Sequence, residues 1–304
     1  MAADRRMKVG VVLPIAEEDG HQPGYGEIRE IAQATEATGL DSVWVFDHLL
    51  YRFEGETSGL HECWTILSAI AEATSRVELG TIVLATAFRN PALLAKMAAT
   101  LDEVSGGRLT LGLGCGWHDP EFEAFGYPTD HKVGRFEEAL RVIVDLVRTG
   151  RGDLDGEWYT IRDCALLPPA PRPEMPILVA AGAPRMLGLT ARHADAWNTA
   201  WYGLPNDELQ ADLRAMREAC EREGRDIATL GLTVGLTIRE PAAGPVDQRR
   251  AAKSLAAEPD LIAEALTAYE GIGFEHAICS LEPTTTAMVE RLAAAVGHWR
   301  PEVG

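Results

Sequence analysis

Short apolar runs alternate with amphipathic segments along the whole chain, and the alternation repeats one unit. The run KVGVVLP, from Lys8, predicts a strand, and in 24–38 Ile28, Ile31, Ala32 and Thr35 recur at helical spacing before Gly39. SVWVFDHL and residues 62–74, with Trp64, Leu67, Ile70 and Ala71 on one face, repeat the unit. A third pairs VELGTIVL with a helix opening on Asn90 as cap and Pro91 in the first turn. The fourth joins RLTLGLGCG, across a polar excursion over 118–133, to a helix through Phe136, Leu140, Ile143, Val144 and Val147. Residues 150–175 hold too much Pro and Gly for a helix, and EWYTIRD predicts a small hairpin there. PILVAAG with a helix from Pro184, and AWNTAW with 206–223, supply the fifth and sixth units. LGLTVGLTI, a loop over 239–257 and a helix through Leu261 and Tyr269 form the seventh; HAICSLE and a helix through Met288 and Val296 form the eighth.

Eight strands apolar enough to be buried on both faces, each followed by a helix, predict an α/β fold of the (β/α)8 TIM-barrel type. The expected layout is one domain over 1–304, with insertions near 118–133, 150–175 and 239–257. A doubly wound open sheet would instead place a GxGxxG turn after the first strand, and LPIAEEDG has none.

The formal net charge of −18 argues against nucleic-acid or anionic-membrane partners, since both require a basic face. An anionic ligand would need its own local arginines. Cys63, Cys115, Cys164, Cys220 and Cys279 show no CxxC or Cys/His metal spacing and read as reduced thiols of a cytoplasmic protein. No stretch approaches the roughly 18 apolar residues of a membrane span.

In such barrels chemistry sits at the carboxyl ends of the strands. That rule selects Asp47 with His48, Thr86, Arg89 and Asn90, Cys115 with Trp117 and His118, Gly182 with Arg185, and Asn198 with Trp201. An imidazole with an ordinary pKa of about 6.5 exchanges protons near neutrality, although a satisfied strand-end histidine has the same signature. AAGAPR, residues 180–185, leaves backbone N–H groups free at a helix start, which suits phosphate and equally describes an ordinary turn. The glycines of LGLGCGW lack nucleotide-loop spacing and read as close packing that lets a flat ring lie against the mouth, with Trp117 as wall or core. Neither HxH nor HExxH occurs, so no metal is expected, and no GxSxG elbow points to covalent hydrolysis.

Taken together these residues resemble the bacterial luciferase-like flavin and deazaflavin oxidoreductases, most of all the actinobacterial branch that uses coenzyme F420. The likeness spans nearly the whole chain and is densest in DHLL, ECWTILSAIAEATSRVELGT, FRNPALLAKMAATLDEVSGGRLTLGLGCGW, EFEAFGYP and LLPPAPRPEMPILVAAGAPRMLGLTARHADAWN. The resemblance implies a mouth that binds the deazaflavin ring, with Asp47 and His48 beside the reactive carbon and His48 as proton partner. It implies a non-prolyl cis bond at Ile82–Val83 behind the ring, Thr86 on the lining, Cys115 and Gly116 at the mouth, and phosphate held by Ala181, Gly182 and Ala183 with Arg185 close by. Trp44, Phe88, Trp117, Asn198 and Trp201 would shape the pocket of a small organic substrate. Hydride transfer is the implied reaction.

An FMN-dependent monooxygenase of the same family is the nearest alternative, and a non-catalytic binding barrel the second. The polyanionic tail of F420 asks for rim cations, for which Arg52, Arg89, Arg135 and Arg185 are candidates. Family sugar-phosphate dehydrogenases carry glutamate where this chain has Trp117, and with only four lysines the chain gives sugar phosphates little support. Arg239, Arg249, Arg250 and Lys253 lie in the 239–257 loop, which either closes over a ligand or is a solvated connector. A homodimer is expected from relatives.

Overall fold

Parallel strands buried on both faces leave no solvated side, so a sheet of them is stable only when covered or closed on itself. A computed structural model of the chain, describing residues 6–18, 20–53, 55–240 and 253–300, takes the second course. Eight parallel strands close a barrel: β1 (Lys8–Val12), β2 (Ser42–Val45), β5 (Glu78–Thr81), β7 (Leu109–Gly114), β10 (Ile177–Ala180), β11 (Ala196–Tyr202), β12 (Gly231–Arg239) and β14 (His276–Glu282). Closure runs through β7 to β10, Leu111 opposite Ile177, and through β14 to β1, His276 opposite Lys8.

The outer ring is α1 (Tyr25–Ala37), α2 (Cys63–Ala73), α3 (Pro91–Val104), α5 (Lys132–Thr149), α6 (Pro184–His193), α7 (Asp207–Arg222), α8 (Pro259–Ile272) and α9 (Thr286–Trp299). Their starts follow the expected chemistry: Asn90 Oδ1 accepts from the N–H groups of Ala92 and Leu93, and Asn206 caps Leu209. No helix among the described residues is long and apolar enough to cross a membrane.

Trp44 fills the inside of the barrel. Its ring occupies the space that a Cβ at Gly80 would need, 2.2 Å away, and its Nε1 donates to Ser42 Oγ at 2.7 Å. With Val12, Ile82, Leu178 and Ile278 it forms the inner core. Ser42 Oγ also lies 2.7 Å from Nε2 of the buried His276, at the amino-terminal end, where burial chiefly and then Lys8 and Arg300 hold that imidazole down at about 3.

Insertions decorate the frame. A hairpin of β3 (Leu50–Phe53) and β4 (Glu56–Gly59), absent from the sequence expectation, follows β2. The excursion after β7 contains a short helix, α4 (Asp119–Phe125). The hairpin before β10 pairs β8 (Arg151–Asp155) with β9 (Thr160–Ala165), so EWYTIRD forms its turn and second strand rather than the whole of it. In the 239–257 loop, β13 (Leu255–Ala256) pairs with β12 and Lys253 donates to Glu208; Arg249 and Arg250 lie outside the described residues.

Candidate active site

β2 ends at Val45, and the segment beyond β5, which carries the short strand β6 (Leu84–Ala85), is hung on its end. The Ile82–Val83 bond is cis, Ile82 N–H donates to Val45 O at 2.7 Å, and Ala85 N–H donates to Asp47 Oδ2 at 3.0 Å. Glycine in β7 permits this approach: a Cβ at Gly112 would stand 1.8 Å from Thr81 O, and one at Gly114 would press on Val83. Those glycines are therefore packing glycines.

Asp47 and His48 diverge. Asp47, expected beside the ring, is buried in a forked pair with Arg89, whose Nη1 and Nη2 donate at 2.6 and 3.2 Å, and besides the bond from Ala85 N–H it accepts a fourth from Cys63 Sγ. Arg89 Nη2 also reaches Glu62 at 2.5 Å. Burial alone would lower the Arg89 pKa, but Asp47 outweighs it and the guanidinium is held charged, while burial pushes the Cys63 thiol up. Asp47, Glu62 and Cys63 group their ligand atoms closely enough for a cation, but Arg89 already supplies the positive charge.

His48 leaves the strand end on the other side. Its Nδ1 is 2.8 Å from Oε1 of Glu121, whose Oε2 accepts the N–H of Leu49 at 2.7 Å. Glu121 is 1% exposed, and with its carboxylate oxygen as acceptor Nδ1 is the donor of this contact. Nε2 has no protein partner among the described residues. Sequence reasoning passed over Glu121; HDPE, with Pro120 in a first helical turn, was its available signal.

Aromatic rings surround this imidazole. Tyr51 from β3 lies 4.6 Å away by ring centroid, Trp117 5.4 Å, Phe46 6.2 Å and His118 6.4 Å. Burial, then the Glu121 charge, pushes the Tyr51 pKa up, so its phenol stays protonated. The hairpin is fastened by Arg52 N–H donating to His118 Nε2 at 3.0 Å.

Around the mouth, β10 delivers the 180s turn. α6 begins with Pro184 in its first turn and no side-chain cap at Ala183, and a Cβ at Gly182 would meet nothing. First-turn N–H groups therefore remain for an anion. A cleft of about 960 Å³ runs beside it, lined by Arg185, Arg192, Trp158 and Lys132. Another, of about 1180 Å³, lies over the ends of β1 and β14 and reaches Phe46.

Residues 7–257 match the model of the luciferase-like monooxygenase family. The chain belongs to this family. Pyrimidine monooxygenase RutA of Methylorubrum extorquens (strain PA1) is 32% identical over 246 residues, which are 75% of this chain and 65% of that protein. The chain thus spans just under two thirds of the length of that relative. An F420-dependent secondary alcohol dehydrogenase, solved with an F420-acetone adduct, superposes with a TM-score of 0.81 at 17% identity, over 97% of this chain and 99% of that one. Riboflavin lyase (RcaE), solved with modified FMN and riboflavin, gives 0.76 at 16% over 97% and 92%. At those identities the likeness concerns the fold.

The luciferase-like barrel does not bring every expected residue to the mouth. Trp44 is 1% exposed in the inner core, so it plugs the barrel rather than lining a substrate pocket. Phe88 packs against Phe122 and Tyr127 beneath α4, and Thr86 is buried beside it. Asn198 Oδ1 accepts from Thr233 Oγ1, also in the barrel. Trp201, after a cis bond from Ala200, packs over Gly235 at the edge of the inner core. Cys115 is half-buried, and Gly116, at φ +74°, would place a Cβ against Phe122. Of the rim cations, Arg185 pairs with Glu137 and Arg135 with Asp130 and the face of Trp158; among the described residues the Arg52 side chain donates to Thr57.

Proposed function

We propose that this chain is an oxidoreductase that holds a flavin-type tricyclic ring at the barrel mouth, with coenzyme F420 as its cofactor and a small organic molecule as its substrate. The carrying observation is the His48–Glu121 pair: one ring nitrogen is tied to a buried carboxylate and the other is left for a ligand. The residues fit a ring and a phosphate. Open space at Gly182 and the uncapped α6 suit the phosphate, and Tyr51 and Trp117 offer apolar faces beside His48.

When bound, the ring would supply or accept a hydride at a substrate carbon. His48 Nε2 holds or takes the proton that accompanies it, with Glu121 fixing tautomer and orientation. Tyr51, kept a neutral phenol chiefly by burial, has an O–H to offer a bound ligand. Asp47 acts as a positioning residue, since its bond to Ala85 N–H ties the 82–85 segment to the end of β2.

FMN is the second reading. Arg89, Arg135 and Arg185 are already paired with carboxylates, which leaves a polyanionic tail few unengaged cations among the described residues, and the relative at 32% identity is named a monooxygenase. In that case the same dyad would serve oxygen insertion.

Fluorescence-quench titrations of the purified protein with F420 and with FMN test the cofactor. Saturable binding of F420 in preference to FMN supports the first reading, the reverse supports the second, and binding of neither overturns both. With the preferred cofactor, His48→Ala should lower kcat by about 100-fold, as expected for loss of a general acid or base, and leave cofactor affinity nearly unchanged. Unaltered kcat would remove His48 from the reaction.

A further inference from the structure

Trp117 and Phe53 are exposed where large aromatic side chains normally are not. Trp117 is 64% exposed and Phe53 51%, and their rings lie nearly parallel, 24° apart at a centroid distance of 6.2 Å. They come from different insertions, Phe53 from the β3–β4 hairpin and Trp117 from the turn after β7, and the Arg52–His118 bond holds the two together. Phe53 also contacts His118 at 4.7 Å, and Trp117 meets His48 edge-on at 5.4 Å. The exposed aromatic surface is thus continuous with the imidazole whose Nε2 has no protein partner among the described residues.

The chemistry of this surface is narrow. The one guanidinium on the hairpin, Arg52, is turned to Thr57 Oγ1, and the buried carboxylate, Glu121, is used by Leu49 and His48. Among the described residues, neither a fixed cation for an anionic substrate nor an array of donors for a sugar is presented there. Two nearly parallel aromatic faces offer quadrupole and dispersion contacts to another flat ring.

We propose that Trp117 and Phe53 form a stacking platform that selects a planar, uncharged aromatic or heteroaromatic substrate and lays it beside His48. The inference rests on the active-site reading given above and names its substrate class. Tyr51, 5.7 Å from Phe53 and 4.6 Å from His48, bounds the platform on its inner side.

The test compares 2-naphthol with trans-2-decalol, which share a hydroxyl and two fused six-membered rings but differ in planarity and π-electrons. Calorimetric titration is made on wild type, Trp117→Ala, Phe53→Ala and Trp117→Phe, with Val104→Ala as a control at an exposed apolar site on α3. Naphthol should bind wild type at least fivefold more tightly than decalol, and Trp117→Ala and Phe53→Ala should each erase most of that preference, by about three- to tenfold for a ring contact. Trp117→Phe should retain it and Val104→Ala should not alter it. Equal binding of the two alcohols, or a preference unchanged in Trp117→Ala, overturns the proposal. So does a wild-type dimer in sedimentation velocity that Trp117→Ala dissociates, because the patch is then a contact between copies of this chain. Circular dichroism identifies any variant that fails to fold, and Trp117→Phe then decides. Naphthol preference without binding of F420 or FMN would leave the platform standing and sink the redox reading; cofactor binding without the preference would do the reverse.

Discussion

Arg89→Met is the sharpest probe of how the mouth is built. The substitution keeps the apolar stem and removes the guanidinium from a pair in which the Asp47 side chain is 1% exposed and that of Arg89 10%. Asp47 would lose the donors at 2.6 and 3.2 Å and keep only Ala85 N–H and Cys63 Sγ, the latter a weak donor. Breaking a buried pair in this way costs about 3–5 kcal/mol, a large share of the roughly 5–15 kcal/mol that holds a folded protein together. The arm to Glu62, which is 43% exposed, adds at most about 1 kcal/mol. With a urea m-value of about 3 kcal/mol/M, the midpoint falls by roughly 1 M or more. Urea unfolding at pH 7.5, followed by circular dichroism and by tryptophan fluorescence, reads the shift, and coincident curves license the free energies. Adding Asp47→Asn to Arg89→Met should recover part of the loss, with a coupling of about 1–3 kcal/mol. A midpoint within 0.2 M of wild type in Arg89→Met, or strict additivity in the double variant, would refute the assignment of Asp47 to the scaffold.

Two further outcomes follow from the inner core. Gly80→Ala drives a methyl into the Trp44 ring at 2.2 Å and should cost about 1–3 kcal/mol of stability, seen as a lower urea midpoint; an unchanged midpoint would mean Trp44 has room to move. His276 is held neutral by burial down to about 3, so below the ordinary histidine value the unfolded chain binds a proton that the folded chain refuses. Stability from this site is therefore complete above pH 6.5 and is lost as pH falls toward 3, by up to about 1.4 kcal/mol per pH unit. His276→Gln should flatten that part of the stability curve between pH 7 and 5, and an unaltered slope would count against it.

The eight repeating units were legible because each barrel strand is buried on both faces and each helix on one, so both leave a periodic mark on composition. The hairpin at 50–59 left no such mark. Its two strands are mostly exposed and bury no continuous face, so LYRFEGETSG has neither an apolar run nor clean alternation. Missing α4, seven residues long, had a second consequence: Phe122 and Tyr127 cover Phe88, so a residue at a strand end became core. Trp44 went astray for a different reason. A strand rises about 3.3 Å per residue, which puts Trp44 some 10 Å below Asp47 and in the packed interior rather than the rim. Strand-end position selects a height along the barrel, and height alone does not say which layer a ring fills.

The DH pair shows how far such reasoning can be carried. Neighbouring side chains leave a strand end in opposite directions, so an adjacent aspartate and histidine are poorly placed to attend one ligand atom together. One must turn into the wall if the other faces the mouth. Here the carboxylate turns inward, where Arg89 and Ala85 N–H await it, and the imidazole turns toward the rings of Tyr51 and Trp117. The acid that serves His48 therefore has to come from elsewhere in the chain, and the insertion after β7 supplies it as Glu121. Because that insertion also carries Trp117, the group that orients the proton site and the ring proposed to bind substrate arrive on one segment. A change in its length would displace both at once, whereas the barrel beneath would be left intact.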